Sequence, residues 1–261
     1  MTFAPIVLAF LIVVGGAYAL GWWRVSTRGG WPVWRGLIFI VLALGSTAAV
    51  TMVDLPGHLW SVAVRLTLLI ALVPVAYGLG DPVGLLRAAG WTGVDRGLHT
   101  AAVRVLTFPL VAAVVANVWL FVVFFTPILG HAARSSSVMS LVELATLLVG
   151  LLVALPMLGV DMVPEWCTDP IRLLLAFVDG LVDAIPGIAV MSAAGTFGGG
   201  FYPVGSGRVA GQAMLALAEV VALPIFFIIF FRWAITESKR DRDADDGDDT
   251  PITPWWLEQD R

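Results

Sequence analysis

Cysteine and charge are scarce in this chain, and each scarcity excludes a class of chemistry. One cysteine, Cys167, in 261 residues leaves no partner for an internal disulfide. It also excludes a CxxC redox motif and a cysteine-based zinc site. Charged residues make up 13% of the sequence, where a soluble domain carries about a quarter. No nucleophile triad, phosphate loop or metal-hydrolase motif is present. The Gly198-Gly199-Gly200 run lacks the strand-to-helix context of a nucleotide loop. Catalysis is therefore not expected. The net charge of −4 comes largely from the last 25 or so residues, and no nucleic-acid partner is expected. Neither an internal repeat nor a soluble domain is evident.

What the chain does have is apolar sequence: 59% of its residues are hydrophobic. They fall into blocks of about 18–25 residues, the length that crosses ~30 Å of hydrocarbon. In lipid a single segment satisfies its own backbone only as a helix. The fold class expected is thus all-α, a polytopic membrane protein with a bundle of about seven transmembrane helices. The spans are Phe3–Trp22, Gly36–Val53, His58–Gly80, Leu106–Pro127, Val138–Leu158, Ile171–Ala193 and Gln212–Trp233. Ala17-Tyr18-Ala19 resembles a signal-peptidase site, yet no basic residue precedes Phe3. Arg24 and Arg28 follow the block instead, so it reads as a retained span.

The basic residues set a direction. Arg24, Arg28 and Arg35 separate spans one and two; Arg87, Arg96 and Arg104 separate three and four; Arg172 precedes span six. Arg232, Lys239, Arg240, Arg242 and Arg261 follow span seven, while the opposite side receives Arg134 and Arg208. The positive-inside rule then puts the N-terminus outside and the C-terminus in the cytoplasm. Tryptophans agree, with Trp22, Trp23, Trp31, Trp34, Trp91, Trp166 and Trp233 near the cytoplasmic ends. Two regions result: residues 1–235, the transmembrane domain, and residues 236–261, an acidic tail expected to be disordered. Within the connection after span three, Asp81-Pro82 reads as an N-cap followed by proline at the first helical position. Trp255 and Trp256 in the tail are candidates for docking to a partner protein or for loose contact with the lipid surface.

Five ionisable residues lie inside spans: Arg65, Glu143, Asp179, Asp183 and Glu219. Each costs about 2.5–3.5 kcal/mol alone at mid-bilayer, so partners or water are expected. Arg65, Glu143, Asp183 and Glu219 fall in the outer half of the bundle, with Asp179 one turn deeper than Asp183 on the same helix face. Pro186 removes the backbone donor to Val182 and kinks span six beside Asp183. One reading is a proton or cation relay; the other is an ion pair of Arg65 with Glu143 or Glu219 plus hydrated or protonated acids. Met139, Glu143, Met191, Met214 and His58 are the candidate copper ligands, thioether and imidazole suiting that metal. Methionine is equally an ordinary packing residue.

Several short strings, in order, resemble the CtaG-type cytochrome c oxidase assembly factors of bacteria. They are Trp31-Pro32-Val33-Trp34-Arg35, Gly80-Asp81-Pro82 with Leu85-Leu86-Arg87, Phe108-Pro109-Leu110-Val111, Leu158-Gly159-Val160-Asp161 with Pro164, and Thr196-Phe197 with Tyr202-Pro203. The resemblance spans roughly residues 20–235. It implies a seven-helix protein of the bacterial plasma membrane, linked to maturation of the oxidase copper centre. Its partners would be lipid and other membrane proteins of a terminal oxidase or its assembly machinery. The family's intramembrane histidine motifs, carried over through Gly80-Asp81-Pro82 and Pro156, fall on Val62, Arg65 and Leu66 and on Met139 and Glu143. A Trp-His pair falls on Phe124 and Phe125. Arg65 and Glu143 thus occupy two positions where the resemblance implies metal ligands, as if an ion pair had replaced a metal site. Three functions follow as expectations: a divergent oxidase assembly factor, a small transporter or ion conduit, or a structural accessory subunit of a membrane complex.

Overall fold

The computed structural model describes residues 5–26, 30–52, 57–91, 93, 100–158 and 169–247. Cys167, Trp166, the Gly159-Val160-Asp161 and Pro164 strings, Trp255 and Trp256 lie outside the described residues. Regular structure among the described residues is helical, with one isolated antiparallel bridge between Phe197 and Tyr202. Helix α1 is Pro5–Ser26. Helix α2 (Val33–Leu37) runs through a π-helical stretch, Ile38–Leu44, into α3 (Gly45–Met52). Helix α4 (Leu59–Thr67) likewise passes through a π stretch, Leu68–Leu72, into α5 (Val73–Leu79), and the short α6 (Pro82–Ala88) follows. The second π stretch ends where Pro74 withholds the donor that Ile70 would take in a regular α-helix. Then come α7 (Ala101–Leu106), α8 (Pro109–Phe125), α9 (Ile128–Arg134), α10 (Ser136–Leu158), α11 (Asp169–Ser192) and α12 (Ser206–Gly247).

Four stretches are long and apolar enough to cross a membrane: Ile6–Ser26, Val33–Met52, Leu59–Ala88 and Ser136–Leu155. Leu110–Phe125 and Ile128–Arg134, bent by 65°, make a fifth if counted as one span. Thr126 and Pro127 form that bend, where the Thr126 hydroxyl donates to the Val122 carbonyl at 2.6 Å and accepts from the Ile128 N–H at 3.3 Å. Length and composition therefore support four to five spans among the described residues, against about seven from hydropathy. The sixth and seventh expected segments fall within α11 and α12, where α11 is apolar over Gly180–Ser192.

The α12 helix departs from expectation at its far end. It continues through Gly247, into the acidic segment for which disorder is expected. Propagating a helix that already exists costs little.

Helices α4/α5, α12, α11, α8 and α10 pack in that order into a closed ring, α10 returning to α5. Helix α1 and the α2–α3 rod lie against the α5, α6 and α10 side. Two apolar clusters fill the two ends. One gathers Leu59, Val62, Leu66, Phe124, Leu129, Tyr202 and Met214; the other gathers Tyr18, Phe39, Val73, Tyr77 and Leu85. The loop between α11 and α12 seals the first end. There Phe197 and Tyr202 exchange backbone hydrogen bonds of 3.2 and 3.1 Å around a four-residue turn. Gly198, Gly199 and Gly200 have φ of +62°, +63° and +90°, which only glycine adopts without strain. The glycine run is thus explained by the turn.

Candidate functional site

Arg65 stands seven residues past His58, about 10 Å along the helix at 1.5 Å per residue. Nearly every side chain of α4 is buried, so an arginine there has no route to water. Its Nη1 lies 3.2 Å from Oε1 of Glu143 on α10, and the two residues are 5% and 3% exposed. Glu143 belongs to a polar stripe, Ser140, Glu143, Thr146 and its neighbour Leu147, all buried at the spacing of one helix face. The Ser140 and Thr146 hydroxyls donate to the carbonyls of Ser136 and Val142. Trp119 of α8 donates its indole N–H to the Thr146 hydroxyl at 2.8 Å. The ring interior thus carries a belt of polar groups running from α4 through α10 to α8.

Asn117 continues the belt on α8. Its Nδ2 donates to the Ala113 carbonyl at 2.9 Å, while the buried Oδ1 has no hydrogen-bond partner among the described residues. The carboxyl group of Asp183 on α11 lies beside this amide. On α11 the exposed stripe is Leu174, Phe177, Leu181, Ile185 and Ile188, and the buried positions are Pro186, Gly187 and Val190. Asp183 stands three, four and seven residues before those three, on the inward face. Asn117 was not singled out by sequence because a neutral amide gives no electrostatic signal in a hydropathy scan.

The other predicted positions separate. Glu219 is exposed on α12 and lies outside the buried belt, on the face of Gln212, Ala216 and Leu223. Only the helical position of Asp179 is described. Met214 is in the apolar cluster at the Tyr202 end and Met139 packs against it. Met191 meets α12 beside Gly211, and His58 is exposed at the start of α4 with its ring edge-on to Trp60. This donor set does not fit copper. Glu143, the charged donor of the set, already faces a guanidinium that repels any metal cation, and the imidazole of His58 lies outside the core that holds Met139 and Met214. Among the described residues no three His, Cys, Asp or Glu side chains group as metal ligands.

A second polar cluster lies at the opposite end of the ring, and sequence order alone connected its parts. Asp81, at φ +46°, caps α6 by accepting from the Gly84 N–H at 2.8 Å. It also pairs with Arg35 at 2.7 Å. The Arg35 guanidinium lies over the rings of Trp31 and Trp34. Trp31 donates to the Tyr18 hydroxyl, which donates to the Gly80 carbonyl at 3.0 Å. Tyr18 in turn stacks on Phe39 with ring centroids 3.8 Å apart. The Trp31–Arg35 and Gly80–Pro82 strings therefore lock the first three apolar rods together. Asp81→Ala is expected to cost about 1–2 kcal/mol, mostly the lost cap, because an ion pair with both side chains about one-third exposed adds little. Asp81→Asn, which keeps the cap and tolerates the left-handed backbone, should retain most of that stability in thermal unfolding in detergent.

A family model described as cytochrome c oxidase caa3 assembly factor matches residues 16–236. Two uncharacterised proteins, one from Mycobacterium bovis and one from Mycobacterium tuberculosis, are each 27% identical to this chain over 264 aligned positions. Those alignments cover 90% of this chain but 40% of either relative, so the chain spans well under half the length of the curated relatives it matches. No solved structure matches it at a significant level. With the family match running from within α1 to within α12, the chain belongs to the cytochrome c oxidase caa3 assembly factor (Caa3_CtaG) family.

Proposed function

We propose that this protein acts in the assembly of a terminal oxidase in the bacterial plasma membrane. It does so by binding other membrane proteins inside the bilayer and catalyses no reaction itself. Seven crossings, with the N-terminus outside and the C-terminus in the cytoplasm, belong to this reading. The family match supports the class of function, and Glu219 is the observation that carries the mode of action. It sits 13 residues into α12, about 20 Å along the helix. Its exposed neighbours are Val220 (67%), Leu223 (52%) and Phe227 (48%). A carboxylate facing hydrocarbon costs about 2.5–3.5 kcal/mol at mid-bilayer on insertion scales. A partner helix bringing an arginine, lysine or other donor to that depth offsets the cost. The face then discriminates, since an apolar helix without a donor leaves the acid unsatisfied.

Deleting the gene is expected to lower the oxidase's haem a absorbance and its activity together, with the wild-type gene restoring both. Glu219→Leu should accumulate in the membrane at least as well as wild type and yet restore little oxidase. A deletion strain with fully active oxidase would refute the assembly role, whereas full rescue by Glu219→Leu would refute only the contact.

A further inference from the structure

The exposed face of α12 is polar along one edge. Arg208, Gln212 and Glu219 are all exposed, and steps of four and eleven residues are close to one and three full helical turns. The three side chains therefore stand in one line, Glu219 about 16 Å along the axis from Arg208 and about 10 Å from Gln212. Among the described residues none of them has a hydrogen-bonding or ionic partner. Leu215, which meets Gly187 of α11, is the i+3 neighbour of Gln212 and the i−4 neighbour of Glu219. The polar line thus borders the groove between α11 and α12. On α11 the residue after Gly187 is the exposed Ile188, so that wall of the groove is apolar.

Lipid chains offer these side chains neither charge nor hydrogen bonds. Arg208, two residues into α12, reaches the outer surface by extending along the helix. Glu219, three turns further on, does not. Its complement is a base at the same depth, and that of Arg208 is an acid near the outer surface. Gln212 both donates and accepts, so a hydroxyl or amide suits the level between them. A second copy of this chain does not supply the pattern. Copies inserted in one direction and related by a twofold axis set Glu219 against Glu219 and Arg208 against Arg208. An unlike contact between copies needs an exposed base well inside a span; Arg65 is buried against Glu143, and Arg24, Arg35 and Arg87 lie at the ends of theirs.

We infer that the α11–α12 groove seats one transmembrane helix of a different protein, with a lysine or arginine opposite Glu219 and a carboxylate opposite Arg208. On the partner helix the two charges are about eleven residues apart, whichever way it runs, and the acid is nearer the outer surface. The inference rests on the partner contact and the orientation proposed above, and adds the charge pattern that the occupant must carry.

The test uses the full chain in its native host, with Ala216, exposed between Gln212 and Glu219, replaced by the photoreactive p-benzoylphenylalanine. Illumination of intact cells and sequencing of the crosslinked peptide identify the helix lying there. The expected product is a segment of another membrane protein with a base inside its span and an acid about eleven residues away toward the outer surface. Glu219→Lys should then lower the adduct at least about tenfold, because like charges would face each other, and exchanging the partner's base for glutamate should restore it. The same probe at Val114, exposed on α8, should not give this adduct. A captured segment with no base in its span, an adduct of two copies of this chain, or lipid adducts alone would each overturn the inference. So would an adduct indifferent to Glu219→Lys. The segment captured at Ala216 is read with Arg208 and Glu219 intact, so a charge variant that fails to fold does not shield the proposal. Oxidase activity in the same cells keeps the assembly role separate. A matching segment lost in Glu219→Lys while the oxidase stays fully active upholds the inference and refutes that contact's part in assembly.

Discussion

Arg65→Met is expected to destabilise the folded protein by about 3–5 kcal/mol, the range for removing one partner of a buried ion pair. Glu143→Leu should cost a similar amount. The reason is the same on both sides, because each single change takes the 3.2 Å ion-pair contact from a charge in a site 3–5% exposed. The double variant Arg65→Met/Glu143→Leu is expected to recover most of the loss, since two apolar side chains of similar length need no desolvation. Unfolding in mixed micelles of increasing denaturing detergent reads all four proteins on one scale. The coupling is the difference between the double variant and the sum of the singles. Strict additivity would show that the pair is no interacting unit, and that Arg65 is held by other groups of the ring.

Gly211→Leu should be damaging for a reason of shape alone. A β-carbon at Gly211 would sit 2.6 Å from Cβ of Met191 and would also collide with the Gly187 carbonyl. Gly207, four residues earlier, approaches the Val190 carbonyl in the same manner. Helix association in a membrane rests on such close backbone packing, because lipid offers no hydrophobic drive between helices. Side chains forced into a packed contact usually cost about 1–3 kcal/mol. Here the obstacle is backbone, which cannot rotate away, so the upper end of that range is expected in thermal unfolding. Gly195→Ala is the matching control: its β-carbon meets nothing within 4 Å, and it should stay within about 0.5 kcal/mol of wild type. The α11–α12 contact is the most extensive in the ring, so its loss would also displace Asp183 from Asn117.

Some of this was legible in the linear chain. The apolar blocks of α1, α2–α3, α4–α5 and α10 are long enough that helix was the one structure open to them. The Asp81 cap needed no tertiary information either, because aspartate followed by proline meets its backbone donor three residues on. The five charged positions inside spans stood out by cost alone. Their partners did not. Glu143 and Glu219 lie at similar distances from the outer ends of the spans expected from sequence, yet one is 3% exposed against Arg65 and the other faces outward. The difference is a rotation of each helix about its own axis, which depth along the chain does not contain.

By itself, then, the sequence determined that this is an all-helical membrane protein, where its charged groups lie along each helix, and how the Asp81 turn is capped. These are local properties, each decided within one or two helical turns by hydrogen bonding and transfer from water. Only the tertiary structure decided that Arg65 meets Glu143, that Asn117 joins Asp183, and that Glu219 faces outward. Those choices depend on which faces of distant helices touch, and here glycine contacts such as Gly187 with Gly211 set that rotation across segments remote in the chain.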